Sequence, residues 1–331
     1  MHDDRVHVER RITRMLTERL RPSVYRDPVP LLLESWQAPG EPVPVDEGLS
    51  AQYSETKAGE LWGPPWGTTW FHVTGTVPEH WAGLEVEAVV DLGFAPDRPG
   101  FSAEALAMHP DGTPIKALNP MSTWLPVAAA ARGGEPVDVY VEAASNPDIA
   151  GAGVGSYLGD VLTAGSEPLY RVRRVELAVF ERPVWELVQD VEVLDQLMRQ
   201  LSTDSPRRWQ ILRTLERAMD AIDLADVVGS APAVREVLAP ALAAPAHAGA
   251  HVASAVGHAH IDSAWLWPLR ETRRKVARTV SNVATLAEEY PELVFAFSQA
   301  QQHAWVKEPT KRYSLFSRSQ AWLPYSPVTP P

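Results

Sequence analysis

The amino-acid sequence predicts a multidomain chain: an all-β, jelly-roll-like sandwich, a helical segment, and then the first βαβ unit of an α/β domain. Three observations carry this expectation. Between Gly67 and Phe180, short runs of β-branched and aromatic residues alternate in polarity and are separated by Gly, Pro and Asp. From 183 to 244 the apolar positions switch to a spacing of three and four. Beyond Gly249, two apolar runs bracket a helix-patterned stretch.

In chain order, residues 2–20 read as an amphipathic helix, with Ile12, Met15, Leu16 and Leu20 at helical spacing. Arg21 to Trp66 is rich in proline and reads as irregular, with Trp36, Trp62 and Trp66 as packing anchors. Strand patterns then follow at 68–77, closed by Pro78, and at 84–92, 137–142 and 170–180. Short strands with tight turns favour an antiparallel sandwich. A helix is expected next, its buried stripe made of Val184, Leu187, Val188, Val191, Leu194, Met198 and Leu201. Asp204-Ser-Pro206 signals the next start, and Trp209, Leu212, Leu215, Met219 and Ile222 share that helix's face. A third helix is expected to open at Ser230-Ala-Pro232, and 243–249 reads as a linker.

The chemistry concentrates in Val256-Gly-His-Ala-His-Ile-Asp-Ser-Ala-Trp-Leu-Trp-Pro268. His258, His260 and Asp262 occupy alternate positions after the apolar run at 252–256, so on a strand they project to one side at its exit. Two imidazoles and a carboxylate there suit a zinc-type site. A polar strand end, its imidazoles satisfied by backbone or water, is the competing reading. A helix over 271–290, with Val276, Val280, Val283 and Ala287 on one face, leads to a second buried strand at 293–297. Such a unit implies a parallel pair with a right-handed crossover, and ligands in these sheets sit at the C-terminal strand ends. Ser298 and Gln299 fall on that rim, facing a ligand or capping the next helix. The cations Arg270, Arg273, Arg274, Lys275 and Arg278 read as a solvated helix face rather than a phosphate patch.

From Gly257 to Glu308 the sequence GHAHIDSAWLWPLRETRRKVARTVSNVATLAEEYPELVFAFSQAQQHAWVKE resembles the opening of the catalytic domain of class II α-mannosidases, glycoside hydrolase family 38. The likeness is continuous over some fifty residues and includes an H-x-H-x-D-x-x-W core. It implies an α/β barrel-type catalytic domain, preceded by a β domain, and a retaining α-mannosidase. The second His and the Asp of the motif bind zinc in that family, which implies His260 and Asp262. The family's Trp stacks under the mannose ring, which implies Trp265; Asp262 and Trp265 would then both meet the sugar. His258 matches the motif as a neighbour of the ligands, not as one of them.

A zinc ion, or another divalent cation, held by few protein donors keeps open positions, and the cis hydroxyls of mannose are oxygen donors able to fill them. Two carboxyl groups, one nucleophile and one acid, then act at the anomeric carbon. The family's nucleophilic Asp and its remaining zinc ligands lie well downstream of this motif. The resemblance ends near Glu308, and 309–331 holds five prolines and no acidic residue. The expectation is a truncated or frame-shifted reading of a longer chain, without its nucleophile and with negligible catalysis. The organisation expected is an N-terminal helix and irregular segment (1–45), a β-sandwich (46–182), a helical linker region (183–249), the start of the catalytic domain (250–308) and a divergent tail (309–331).

Composition narrows the partners. Hydrophobic content of 45% with 22% charged residues is that of a folded globular chain. A net charge of −12 argues against nucleic acid and acidic membranes as partners. No apolar run reaches membrane-spanning length, and the charged N-terminus lacks the apolar core of a secretory signal. Zero cysteines exclude thiolate ligands and fit a cytoplasmic protein. The expected partner is a mannose-containing oligosaccharide, with a homo-oligomer open for a full-length protein. Two rival functions remain: an amidohydrolase-like metal hydrolase using both His258 and His260, and a non-catalytic carbohydrate-binding protein.

Overall fold

The computed structural model describes residues 4–40, 42–95, 102–148, 160, 162–246, 249–263 and 267–307. In chain order the elements are helix α1 (Arg5–Met15), strands β1 (Tyr25–Pro30) and β2 (Leu32–Gln37), and helix α2 (Val45–Ser50). Ten strands follow: β3 (Ser54–Thr56), β4 (Leu61–Trp62), β5 (Thr68–Thr76), β6 (Val86–Asp91), β7 (Glu104–Met108), β8 (Pro114–Leu118), β9 (Trp124–Ala128), β10 (Pro136–Ala144), β11 (Tyr170–Arg171) and β12 (Arg174–Phe180). Helices α3 (Arg182–Gln200), α4 (Pro206–Ala221) and α5 (Val227–Leu242) precede β13 (Gly257–His258), α6 (Leu269–Glu289), β14 (Phe295–Ala296) and α7 (Ala300–Lys307). The chain divides into two compact units, one built on 1–28, 84–86 and 178–253, the other on 29–83, 87–177 and 254–331.

The first unit is helical. Ile12, Leu16 and Leu20 share one core with Val184, Leu187, Val191, Leu194, Met198, Leu212, Leu215 and Leu238. The apolar stripes expected from the spacing are thus the packing faces, with Leu201 and Trp209 half-buried at the rim. The first helix is not uniform: after Met15 it widens into a π turn at Leu16–Leu20 and tightens to 3-10 geometry at Arg21–Val24. Arg208, buried in this core, donates to the carbonyls of Met198 and Leu201 at 2.7 and 2.9 Å, satisfying orphan carbonyls at the end of α3. The third helix starts at Val227 rather than at Ser230, because Asp226 Oδ1 accepts the Gly229 N–H at 2.8 Å and caps it earlier.

The second unit holds the six-stranded sheet, β3-β2-β5-β10-β7-β8, and most of the four-stranded one, β1-β12-β6-β9, in a jelly-roll-like arrangement. The stretch 21–66, read as irregular, in fact supplies β1 to β4. Proline misled there: Pro28 and Pro30 sit in β1, an edge strand whose outer side needs no N–H. Trp62 and Trp66 are buried as anticipated, and the Trp62 indole donates to the Leu92 carbonyl at 2.6 Å.

Register sorts the six-stranded sheet into two faces. Val141 lies opposite both Phe71 and Ala107, placing these buried side chains on one face. Glu142 lies opposite Trp70 and Leu106, and Ala144 opposite Thr68 and Glu104, placing these on the other. This second face is covered too, and helix α6 lies over its Glu104–Glu142 end.

The cation cluster of α6 divides: Arg273 is exposed as expected, but at Arg274 and Arg278 sequence reading fails most clearly. Arg274 and Arg278 are not solvated; they are 6% and 3% exposed. Arg278 donates to Glu104 at 3.1 Å and to Glu271, and Lys275 reaches Glu104 at 2.6 Å. Arg274 pairs with Glu271 at 3.1 Å and Glu142 at 3.5 Å and bonds Thr68 at 3.2 Å. Three carboxylates thus face three cations, and the positive face of α6 reads as surface only while its sheet partners are unknown. At about 100° per residue, Glu271, Arg274, Lys275, Arg278 and Asn282 share one side of α6 and Val276, Ala277 and Val280 the opposite side. Val283 and Ala287, expected in the apolar stripe, are only half-buried.

Burial pushes the Glu271 carboxyl up, but Arg278, then Arg274 and the Asn146 bond, outweigh it and hold the group below its ordinary value of 4.5. Its contribution to stability is therefore complete above about pH 4.5 and is lost as pH falls through the lower folded value. Urea unfolding across this acid range is expected to show a loss of stability that is smaller in Glu271→Gln.

Candidate functional site

The motif begins at β13, whose Gly257 and His258 pair in parallel with Phe295 and Ala296 of β14. The parallel βαβ unit is as expected, but its strands are two residues long, and Val252, Val256 and Val294 are exposed rather than buried. Parallel strands bury their side chains when helices or neighbouring strands cover both faces. Among the described residues no third strand pairs with either. Gly257 permits the close approach: an added Cβ would lie 3.1 Å from the Phe295 ring and 3.3 Å from the Val294 carbonyl.

Past β13 the chain still alternates. Ile261 turns inward, 2% exposed, into a cluster with Val276, Ala277, Val280, Trp305 and Val306. His260 and Asp262, on either side of it, turn outward. Their side chains are 81% and 36% exposed, and His260 Nε2 lies 3.4 Å from Asp262 Oδ1. His258 is exposed at the end of β13, with no hydrogen bond or ion pair to these two among the described residues. Trp265 lies outside the described residues, as does the tail at 309–331.

Two glutamines fix the loop, and sequence reasoning gave one of them two roles and overlooked the other. Gln299 Nε2 and Gln302 Nε2 both donate to the Ile261 carbonyl, at 3.1 and 2.8 Å. Gln302 is 2% exposed and also donates to Gln299 Oε1, which receives the Ser263 hydroxyl. Gln299 thus serves the loop. Ser298 is exposed. The available signal for Gln302 was a polar residue on the inward side of a short helix, a position that needs a buried partner.

The donor set suits a divalent cation in part. Two ligands bonded at about 2.1 Å to a tetrahedral zinc stand about 3.4 Å apart, and the His260–Asp262 separation is 3.4 Å. No group of three or more His, Cys, Asp or Glu suited to a metal occurs among the described residues. The pair can therefore supply two corners of a coordination sphere and leave the rest open.

Comparison with known proteins joins both parts of the second unit to one class of enzyme module. Residues 29–178 match the family described as "Alpha-mannosidase, jelly roll domain", and residues 250–318 match "Glycosyl hydrolases family 38 N-terminal domain". The chain belongs to the class II α-mannosidases, glycoside hydrolase family 38, and corresponds to their N-terminal part with the start of the catalytic domain. It is 36% identical over 301 residues to Alpha-mannosidase 2C1 of Homo sapiens, covering 87% of this chain and 26% of that protein. The mouse protein of the same name is 34% identical over 292 residues, covering 87% and 27%. Alpha-mannosidase of Saccharomyces cerevisiae is 28% identical over 286 residues, covering 80% and 24%. The chain thus spans about a quarter of the length of the curated relatives it matches.

Gln302→Leu is expected to leave the Ile261 carbonyl with one donor instead of two and to cost about 0.5–1.5 kcal/mol, the net worth of a hydrogen bond whose acceptor keeps another donor. Urea titration of the variant beside the parent chain measures it.

Proposed function

We propose that these residues form the sugar-anchoring part of an α-mannosidase that hydrolyses terminal α-D-mannosyl linkages with retention, in mannose and glycan breakdown. The observation that carries the reading is the outward pair His260–Asp262, 3.4 Å apart, on a loop inside the segment matching family 38. The imidazole and the carboxylate hold a zinc ion or another divalent cation, and the cation supplies open positions for two neighbouring hydroxyls of the sugar. Asp262 takes part in receiving the sugar, and Trp265 offers an indole face to its C–H side. His258 supports the pair from outside the coordination sphere. The module is the opening of an α/β barrel, and its substrate is a mannose-containing oligosaccharide.

The roles of the protein groups follow from their surroundings. Ile261, packed beneath and bonded through its carbonyl, keeps its two neighbours aimed at the same point. That orientation lets binding energy at the non-reacting hydroxyls position the anomeric carbon. Retention requires a nucleophilic carboxylate and a separate acid about 5–5.5 Å apart, and the His260–Asp262 pair supplies neither.

Zinc titration of the 331-residue chain is expected to show binding that His260→Ala and Asp262→Ala each weaken by more than tenfold. Loss of even an outer partner of a metal ligand costs about 10–100-fold. Equal losses in His258→Ala and His260→Ala would favour the amidohydrolase-like reading instead. Incubation of the purified chain with an aryl α-mannoside is expected to give negligible hydrolysis, and measurable retaining turnover would refute the division of roles proposed here.

A further inference from the structure

We infer that Glu104 and Glu142, two carboxylates of the jelly-roll-like sheet, are positioning residues for the His260–Asp262 loop. The inference rests on the reading of that loop as the sugar anchor and assigns its placement to residues far away in sequence. The line of contact is continuous. Glu104 holds Lys275 and Arg278, at 2.6 and 3.1 Å, and Glu142 faces Arg274 at 3.5 Å. Two bonds extend the seam: Asn282 accepts the Ala117 N–H of β8 at 2.7 Å, and Asn146 donates to Glu271 at 2.9 Å. On the far side of the same helix, Val276, Ala277 and Val280 pack with Ile261, whose two neighbours are the donors.

Each link restricts the next. Glu142 and Glu104 are 1% and 7% exposed, so neither charge has water to fall back on if α6 moves. Three cations spaced along the helix fix its position along the sheet as well as its rotation. A helix held in that way presents Ile261 with one fixed apolar seat. The Glu104–Glu142 end of this sheet face is consequently occupied by the chain's own helix.

Backbone NMR order parameters of the 331-residue chain, recorded without metal, test the inference. In Glu104→Gln, and more strongly in Glu104→Gln with Glu142→Gln, the values at 260–263 are expected to fall from about 0.85, typical of rigid backbone, to below about 0.6. Those of Trp70–Val73 in β5 should stay unchanged. Unaltered values at the loop, or an equal fall in β5, would overturn the inference. If the glutamate variants fail to fold, Asn282→Ala, which removes only the bond to Ala117, carries the same expectation with a smaller fall. Zinc affinity of the parent chain judges the anchor reading separately, because the order parameters need no metal.

Discussion

The pairing of three carboxylates with three cations between one sheet face and one helix is the constraint on which the second unit depends. Removing a charged group from water costs several kcal/mol even after the protein relaxes, so the cluster is tolerated only while every member is matched. Glu271 shows the balance: burial alone would favour its neutral form, and Arg278 and Arg274 keep it charged. Such a cluster contributes less to net stability than an apolar seam of the same size would. What it supplies is register. Sliding α6 by one turn, about 5.4 Å, would bring Asn282 to the place of Arg278 or, in the other direction, Glu271 to the place of Lys275 beside Glu104, a mismatch of charge that an apolar helix would not meet.

The helix transmits that register because its two sides do different work. One carries charge toward the sheet, and the other carries Val276, Ala277 and Val280 toward Ile261. The loop between β13 and α6 then needs little further instruction. Backbone alternation turns His260 and Asp262 outward once Ile261 is seated inward, and the Gln299 and Gln302 amides hold the intervening carbonyl. On the proposed reading, donors carried on this loop gain a fixed seat, which is what a site built from few ligands requires.

Much of this was legible in the sequence, and most of the exceptions share a cause. The helical stripes, the strands around 68–77, 84–92, 137–142 and 170–180, and the parallel pairing of Gly257–His258 with Phe295–Ala296 were all accessible, because each depends on a local period. The family was legible from the H-x-H-x-D-x-x-W core. Most of what escaped was set by distant partners. Arg274 and Arg278 look like solvent-facing charges until Glu104 and Glu142 are brought opposite them from some 130 to 170 residues earlier. Val252 and Val256 look buried because apolar runs usually are, yet burial of a strand is decided by what covers it. Asp226 took the start of α5 from Ser230 through one side-chain hydrogen bond, a competition that periodicity does not register.

On the proposed reading of His260 and Asp262 as a sugar anchor, their exposure above so buried a foundation has a chemical logic. A sugar hydroxyl is no better a ligand than water, so affinity at such a site comes from offering two or more oxygens fixed positions together. The donors must stay open to the incoming ring, and open side chains on a mobile loop would lose that advantage to conformational entropy. Burying Ile261 between them, rather than the donors themselves, reconciles the two demands. On the inference drawn above, the charge cluster some way off belongs to the same design, holding the helix beneath Ile261.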